Sequence, residues 1–577
     1  MHLNNGEAIA LKARLEELKQ RILLEAEAVA DNMKLHFEKD PRYIVFLSFS
    51  DGRSRAYVCN GIGNSIESSW KNAVNSMNKK VKKLKLYPLW VKADLVKDIK
   101  EYTFDAFIDY VSSIKTNYFR EGIALDEMFN LAFLEQEVNA NVFIYGNKES
   151  PEKQISWKNI MAHIRYNLGL KLELDENSCK KVWLFSTIGF FHDGTDCYNL
   201  NNDWLNNGRR VIEVIDEGLL WSVIEKSSGY LADQVDDSGK FRYGYFPCFN
   251  REIPGYNTLR HASTTYSMVE AFEITKDEKL GRAIILALDY LANEGIELLE
   301  GEDGVTRAFV VERTSDNEIK LGANATAILA FSKYTTVFDD RRYVQLMKQL
   351  AEGISYFQDK QEGSYVHVLN FPDLSIKEKF RTVYYNGEAA FALMRLYDID
   401  KNEHWLNMVE LAFEYFINNE YWRQKDHWLS YCSNELFKHR PEKKYIEFNL
   451  QNASGILDFC LSRETTYPTL LELLMATYSM IEKMKTDQYC LDLLDSFDQE
   501  KLMAAIEHRV EHQLNGLYFP ELAMYYKAPQ NILWAFYIRH HSFRSRIDDI
   551  EHNLSGYCSY LKQIVIPAGK RGDGSGV

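Results

Sequence analysis

GANATAILAFSKYTTVFDDRRYVQLMKQLAEGISYFQ, residues 322–358, decides the fold. Its first half is crowded with small residues, Ala325, Ala327 and Ala330 among them. A short polar turn follows, and then a broader, more charged amphipathic half. A helix enclosed on all sides needs slim flanks, whereas a helix with one wet face does not. The pattern recurs in RHASTTYSMVEAFEITKDEKLGRAIILALDYLANE (260–294) and in YNGEAAFALMRLYDIDKNEHWLNMVELAFEYFINN (385–419). The turn residues Asp277, Asp340 and Asn402 fall 63 and 62 residues apart, the mark of a repeat architecture. Each is a residue type that caps the helix after it.

Outward from these pairs, helical periodicity predicts twelve helices, at 209–227, 258–274, 277–294, 320–336, 340–358, 385–398, 403–419, 447–461, 467–484, 489–510, 528–541 and 545–563. The links 295–319, 359–384 and 420–446 are too long for plain turns. All three return to the N-terminal ends of the small-residue helices, so one end of the assembly should carry the long loops. The N-terminal third reads differently. Residues 8–36 predict one amphipathic helix, and YIVFLSFSDGRSRAYVCNG (43–61) predicts a hairpin around Asp51-Gly52. The domain plan is thus an N-terminal helix (1–36), an α+β accessory or partner-binding domain (37–204), a helical domain (205–565) and a flexible, Gly-rich tail (566–577).

Six helical hairpins with small residues inside and long loops at one mouth resemble the (α/α)6 toroid of the six-hairpin glycosidase-like enzymes. That group holds N-acylglucosamine 2-epimerase-like proteins, unsaturated glucuronyl hydrolases and several polysaccharide lyases. The resemblance is architectural, covers about residues 205–563 and matches no one family's motif. The Cys-His-Gly zinc motif of lanthionine synthetase cyclases is missing, as are the acidic boxes and Gln-Trp repeats of terpene cyclases. The resemblance implies a mostly α chain, a toroid preceded by a smaller α+β domain, acting on a saccharide at the loop-rich mouth.

The period lets positions be superposed. His261, Asn324 and Asn386 are equivalent, and so, two residues on, are Ser263, Thr326 and Glu388. First-turn caps explain the two asparagines, but not Glu388 or His261, which stand among small or aromatic residues. KDHWLSYCSNEL (425–436), read as a mouth loop, adds Asp426, His427 and the sugar-stacking platform Trp428. The run before the first repeat offers Tyr256, Asn257 and Arg260. SRIDDIEHNLSGY (545–557) offers Asp548, Asp549 and His552, with Asp548 and His552 on one helical face. The catalytic candidates are Glu388, Asp426, His427, His261 and Asp548. The substrate-binding candidates are Tyr256, Asn257, Arg260, Asn324, Asn386, Trp428, Asp549 and His552.

Paired carboxyl groups suit hydrolysis of a glycosidic bond, which is the first expectation. Paired histidines suit epimerisation, and Tyr256, Asn257 and His261 suit a lyase. A peptide- or polymer-modifying protein, or a non-catalytic scaffold, is the remaining reading. Asp548 and His552 lack a third ligand, so neither a metal nor another cofactor is expected.

Composition narrows the partners. The 577 residues hold 68 Lys and Arg against 83 Asp and Glu, a formal charge of −15, which disfavours nucleic acid. The basic run KKVKKLK (79–85) has helical spacing and reads as a solvated face. Eight cysteines with no C-x-x-C pair suggest reduced thiols and a cytoplasmic protein. No stretch has the length and apolarity of a membrane span. The expected partner is a saccharide, with a protein partner for the N-terminal domain as a further expectation.

Overall fold

The computed structural model describes residues 5–36, 42–146 and 152–568. The tail expected beyond 566 lies outside them from residue 569 onward. The chain divides into two compact units. The first comprises Met1–Val214, Tyr245–Arg251 and Asn515–Ser545, and the second comprises Ile215–Gly244, Glu252–Leu514 and Arg546–Val577.

The first unit is built on an antiparallel sheet. Its strands are β1 (Tyr43–Ser50), β2 (Tyr57–Gly63), β3 (Trp90–Thr103), β4 (Gly122–Ala124) and β5 (Ala132–Phe133); the hairpin β6 (Ile144–Gly146) and β7 (Lys153–Ile155) stands apart, and β8 (Lys181–His192) and β9 (Cys197–Asn199) complete the set. The order is β2-β1-β3-β8-β4-β5, with β9 on β8. The hairpin at Asp51-Gly52 forms, with Phe49 opposite Tyr57, and the Asp51 carboxylate accepts the backbone N–H groups of Arg53 and Ser54. Helices α1 (Asn5–Leu24), α2 (Ala26–His36), α3 (Ile66–Leu84), α4 (Phe104–Ser113), α5 (Glu135–Ala140) and α6 (Trp157–Leu168) flank the sheet. The single helix expected over 8–36 is therefore two, broken at Glu25. One apolar core joins Leu15, Leu18 and Ile22 of α1 and Trp70 and Met77 of α3 to Val45, Leu47, Val91 and Leu95. The basic run 79–85 places Val81 in that core and leaves most of its lysines in solvent.

The second unit holds α7 (Glu217–Gln234), α8 (Thr258–Thr275), α9 (Glu278–Tyr290), α10 (Leu321–Phe338), α11 (Val344–Ile354), α12 (Tyr384–Asp400), α13 (Glu403–Asn418), α14 (His427–His439), α15 (Lys443–Ser454), α16 (Leu457–Ser462), α17 (Thr469–Asp487), α18 (Gln499–Gln513) and α20 (Ile547–Tyr560); the short α19 (Pro520–Ala523) belongs to the first unit. Helices α8, α10, α12, α14, α17 and α20 pack each on the next, and α20 packs back on α8. Six helices thus close a ring. Around it, α9, α11, α13, α15 and α18 each pack on the inner helix that precedes them, and α7 packs on both α20 and α8. This is an (α/α)6 toroid. The alanines explain the inner ring: Ala325, Ala327, Ala330, Ala389, Ala390 and Ala392 are all fully buried, on helices with no wet side. Among the described residues no helix is long and apolar enough to cross a membrane.

Four sequence expectations are corrected here. Residues 425–436 are not a mouth loop but the start of the inner helix α14. Asp426 caps that helix, and Trp428, Leu429, Cys432 and Leu436 form its buried stripe. Residues 528–541 are not a helix. Pro529 and the left-handed backbone at Trp534 break the run into short turns, and the segment packs in the first unit. There Tyr525 donates to Ser48 Oγ at 2.8 Å, and Glu521 grips Arg210 through both oxygens at 2.7–2.8 Å. Finally, the helical domain expected over 205–565 is not helical throughout. The long links fold into a five-stranded antiparallel sheet of Ile296–Glu300, Thr306–Glu312, Glu318–Lys320, Val368–Asn370 and Ile376–Glu378. Asp277 and Asn402 cap α9 and α13 as expected, but α11 starts only at Val344. Asp340 instead accepts from the Arg342 N–H and the Tyr334 hydroxyl.

Candidate functional site

The first turns of five inner helices, with Lys320 just before the sixth, line one cavity of about 450 Å³. Helix N-termini carry unpaired N–H groups and the positive end of the helix dipole, so this mouth suits acidic side chains.

Helix α8 contributes Asn257, Arg260 and Ser263. Asn257 caps the helix by accepting the Arg260 N–H at 3.1 Å. Arg260 Nε donates to Asp548 at 2.8 Å, and its Nη1 donates to the Tyr243 hydroxyl at 2.8 Å. Helix α12 contributes Tyr384, Tyr385 and Glu388, and α14 contributes His427 and Trp428. Helix α20 contributes Asp548, Glu551 and His552, one helical face by their i, i+3, i+4 spacing. Behind them, buried Glu472 of α17 accepts from His552 Nδ1 at 2.8 Å.

Glu388 is the most unusual member. Only 5% of it is exposed, and its Oε2 has no hydrogen-bond partner. Burial, and secondarily the nearby charge of Glu551, push its pKa from 4.5 up to about 8. Room for its carboxyl comes from Gly322 on α10, where a Cβ would overlap both Glu388 Oε2 and the Tyr385 ring. Gly387 plays the same part for α14: a Cβ there would strike the Asp426 carboxylate and Trp428. The Gly-Glu step of NGEAAFA therefore lets two inner helices meet closely at the mouth.

Glu551 accepts the Ser263 hydroxyl at 2.6 Å, and burial raises its pKa to about 7. Burial opposes charge on His552, but Glu551 and Glu472 together outweigh it and raise this imidazole to about 10. His427 lies 2% exposed with neither ring nitrogen partnered, and burial holds it well below 6.5. The His427 and His552 rings meet edge to face, 5.6 Å between centroids.

Of the sequence candidates, Glu388, His427, Asp548, Asn257, Arg260, Trp428 and His552 line the cavity. Six do not. His261 is turned outward: its Nε2 lies 2.8 Å from the Ala287 carbonyl of α9, and its Nδ1 lies 2.6 Å from the Tyr256 hydroxyl. Fully buried, its pKa falls to about 4. Tyr256 is thereby engaged as well. Asn324 accepts the Val310 N–H, and Asn386 pairs with His367 at 3.2 Å. These equivalent positions fasten the inner ring to the outer layer and the link sheet. Asp426 is fully buried as the α14 cap, accepting the Trp428 N–H at 3.0 Å. Asp549 caps α20 by accepting the Arg546 N–H.

Sequence reasoning missed Glu551, Glu472, Tyr384, Tyr385 and Arg381. Two signals could have found the acids. Glu551 shares a helical face with Asp548 and His552, and Glu472 interrupts the apolar run TLLELLMA.

No family model matches the sequence, and no curated protein matches it. Among solved structures, the chain is similar to cellobiose 2-epimerase from Bacillus thermoamylovorans B4167 (12% identity, TM-score 0.46, 60% of this chain and 100% of that one). It is similar also to a D-mannose isomerase (14%, 0.44, 61% and 100%). A third likeness is to a GH76 α-mannanase of Bacteroides thetaiotaomicron (8%, 0.44, 61% and 100%). These are likenesses of chain path at low identity.

Proposed function

We propose that the chain is a carbohydrate-active enzyme that hydrolyses a glycosidic bond by acid/base chemistry in the toroid mouth. The observation that carries this reading is the convergence of two buried carboxyl groups, Glu388 and Glu551, from different helices on one cavity. Hydrolysis needs a carboxylic acid to protonate the leaving oxygen and a second carboxyl group across the bond. Burial keeps Glu388 protonated at neutral pH, the state a general acid requires. Glu551 is the second group. Trp428, Tyr384 and Tyr385 supply flat apolar faces for a sugar ring, and Asn257 and Arg260 supply donors for its hydroxyls. A cavity with this many polar groups does not suit a non-catalytic scaffold. A lyase built on Tyr256 and His261 is disfavoured, because those two side chains bond each other away from the mouth.

A second reading, sugar epimerisation, is favoured by the His427–His552 pair, one imidazole held neutral and the other charged. One experiment separates them. A panel of oligosaccharides, uronic acid glycosides and free sugars is incubated with the enzyme in D₂O and followed by NMR. Hydrolysis releases a new reducing end with no carbon-bound deuterium, whereas epimerisation places deuterium on carbon. Full turnover by Glu388→Gln on any substrate found would sink the assignment of the acid.

A further inference from the structure

The sequence shows His552 with Asp548 as a pair lacking a third metal ligand. The structure takes Asp548 out of that pair, since Arg260 and Arg546 hold its Oδ2 at 2.8 and 2.9 Å. It brings two other groups to His552. From three successive inner helices, His427, Glu472 and His552 place ligand atoms within 4.8 Å of one another. We propose that these three side chains bind a divalent transition-metal ion, Zn²⁺ or one of similar ligand preference, at the edge of the cavity.

The distances fit an ion. Glu472 Oε2 lies 2.8 Å from His552 Nδ1 and 3.9 Å from His427 Nε2. Ligand atoms bound tetrahedrally at about 2.0–2.1 Å stand roughly 3.3 Å apart, between those two values. His427 supplies a second and independent observation. It is almost wholly buried, neither ring nitrogen has a hydrogen-bond partner, and its Nε2 is aimed at Glu472. An orphaned buried nitrogen costs about 1–3 kcal/mol, and a bound cation would remove that cost. Further groups surround the three side chains. Asp426 Oδ1 lies 3.7 Å from His427 Nδ1, too far for a hydrogen bond, so this carboxyl group stands beside the ring without pairing it. The Tyr431 hydroxyl lies beside Glu472. Glu551 Oε1 stands 3.7 Å from His552 Nδ1 and adds negative charge beside the ion. His427 and His552 both line the cavity, so a remaining coordination position would face it.

A second cluster, Asp398, Glu435 and His439, meets the same distance criterion. It carries no such inference, because Arg395, Lys401 and Lys438 already neutralise its carboxylates. It is the natural control.

Ion binding stands on this geometry alone; that the ion would act on a sugar oxygen rests on the proposed function. With the ion bound, both imidazoles are ligands, so the ion and the histidine-pair epimerase exclude each other. The test is Zn²⁺ titration of the chelator-stripped full chain by calorimetry, with metal content after desalting by mass spectrometry. One ion per chain is expected. His427→Ala and Glu472→Gln should each weaken binding at least about 100-fold, beyond the 10–100-fold typical of losing an outer-shell partner. His439→Ala and Glu388→Gln should bind as wild type. If His427→Ala does not fold, Co²⁺ loading of the unaltered chain reports the site by its visible d–d bands. No stoichiometric ion, or an affinity unmoved by Glu472→Gln, overturns the proposal. Ion binding without turnover on any glycoside leaves the site standing and sinks the hydrolase reading; turnover on a glycoside by a chain that takes up no Zn²⁺ on titration does the reverse.

Discussion

Replacing Glu388 by glutamine should abolish catalysis and at the same time stabilise the fold, and the size of the second effect follows from the site. The carboxyl group titrates near 8 in the folded chain against an ordinary 4.5. A raised folded value means that the native state holds its proton where the unfolded chain has lost it. The stability from that proton is fully present below pH 4.5 and drains away as pH rises toward 8. At 1.36 kcal/mol per unit, the native state gives up about 3 kcal/mol by pH 7 and about 5 kcal/mol above pH 8. Glutamine matches the shape of the protonated group and has no proton to lose. Glu388→Gln and wild type should therefore unfold alike at pH 4.5, and the variant should lead by about 3 kcal/mol at pH 7.

The assay is denaturant unfolding of both proteins at half-unit steps from pH 4.5 to 8.5, followed by tryptophan fluorescence. The same variant should lose about 10²–10⁴-fold in kcat if the carboxyl is a general acid. Wild-type kcat/KM should fall on the alkaline side with a midpoint near 8. A stability gap that does not widen with pH, or a variant weaker than wild type at every pH, refutes the reasoning. Gain in stability with loss of turnover is the signature of a group kept for chemistry at the fold's expense.

Three further outcomes are expected. Gly322→Ala gains up to about 1 kcal/mol in helix propensity. It loses about 1–3 kcal/mol by driving a methyl into Glu388 and Tyr385, so melting should drop modestly while turnover falls at least about tenfold through the displaced acid. His261→Ala should cost about 2–4 kcal/mol by orphaning the Ala287 carbonyl and the Tyr256 hydroxyl and opening a cavity. Its folded fraction should keep wild-type kcat, and a large fall in kcat would return His261 to the active site. In the first unit, Glu521→Ala leaves the Arg210 guanidinium buried without its bidentate partner, which should cost about 3–5 kcal/mol in denaturant unfolding. A loss under 1 kcal/mol would show that the pair is solvated.

How far the sequence could be read depended on helix phase. The 63- and 62-residue period fixes the depth at which a residue sits along an inner helix, and depth was read well. Ser263 and Glu388, superposed by that period, both line the cavity. His261 and Asn386, superposed two residues earlier, both face outward. Two residues are about 200° of rotation, so the sets must lie on opposite faces. Nothing in composition says which face is inward, since caps, cores and active sites all use Asn, His and Glu. The neighbours hold the missing sign. Gly322 and Gly387 are positions where no Cβ fits, and they mark the sides on which inner helices touch. Past the third pair this ruler fails. Helix α14 opens HWLSYCSNELFKH, with no alanine run, and it follows a link of eight residues rather than one of the long ones. Without those two cues the sequence of α14 predicts a loop, whereas the periodicity of 528–541 predicts a helix that Pro529 and Trp534 break. Asp426 is thereby hidden as a helix cap, and His427 as a ring residue with Glu472 and His552 for neighbours. The contact of α20 with α8, which closes the ring, sets Arg260 beside Asp548 and Ser263 beside Glu551, and a linear period cannot express that adjacency.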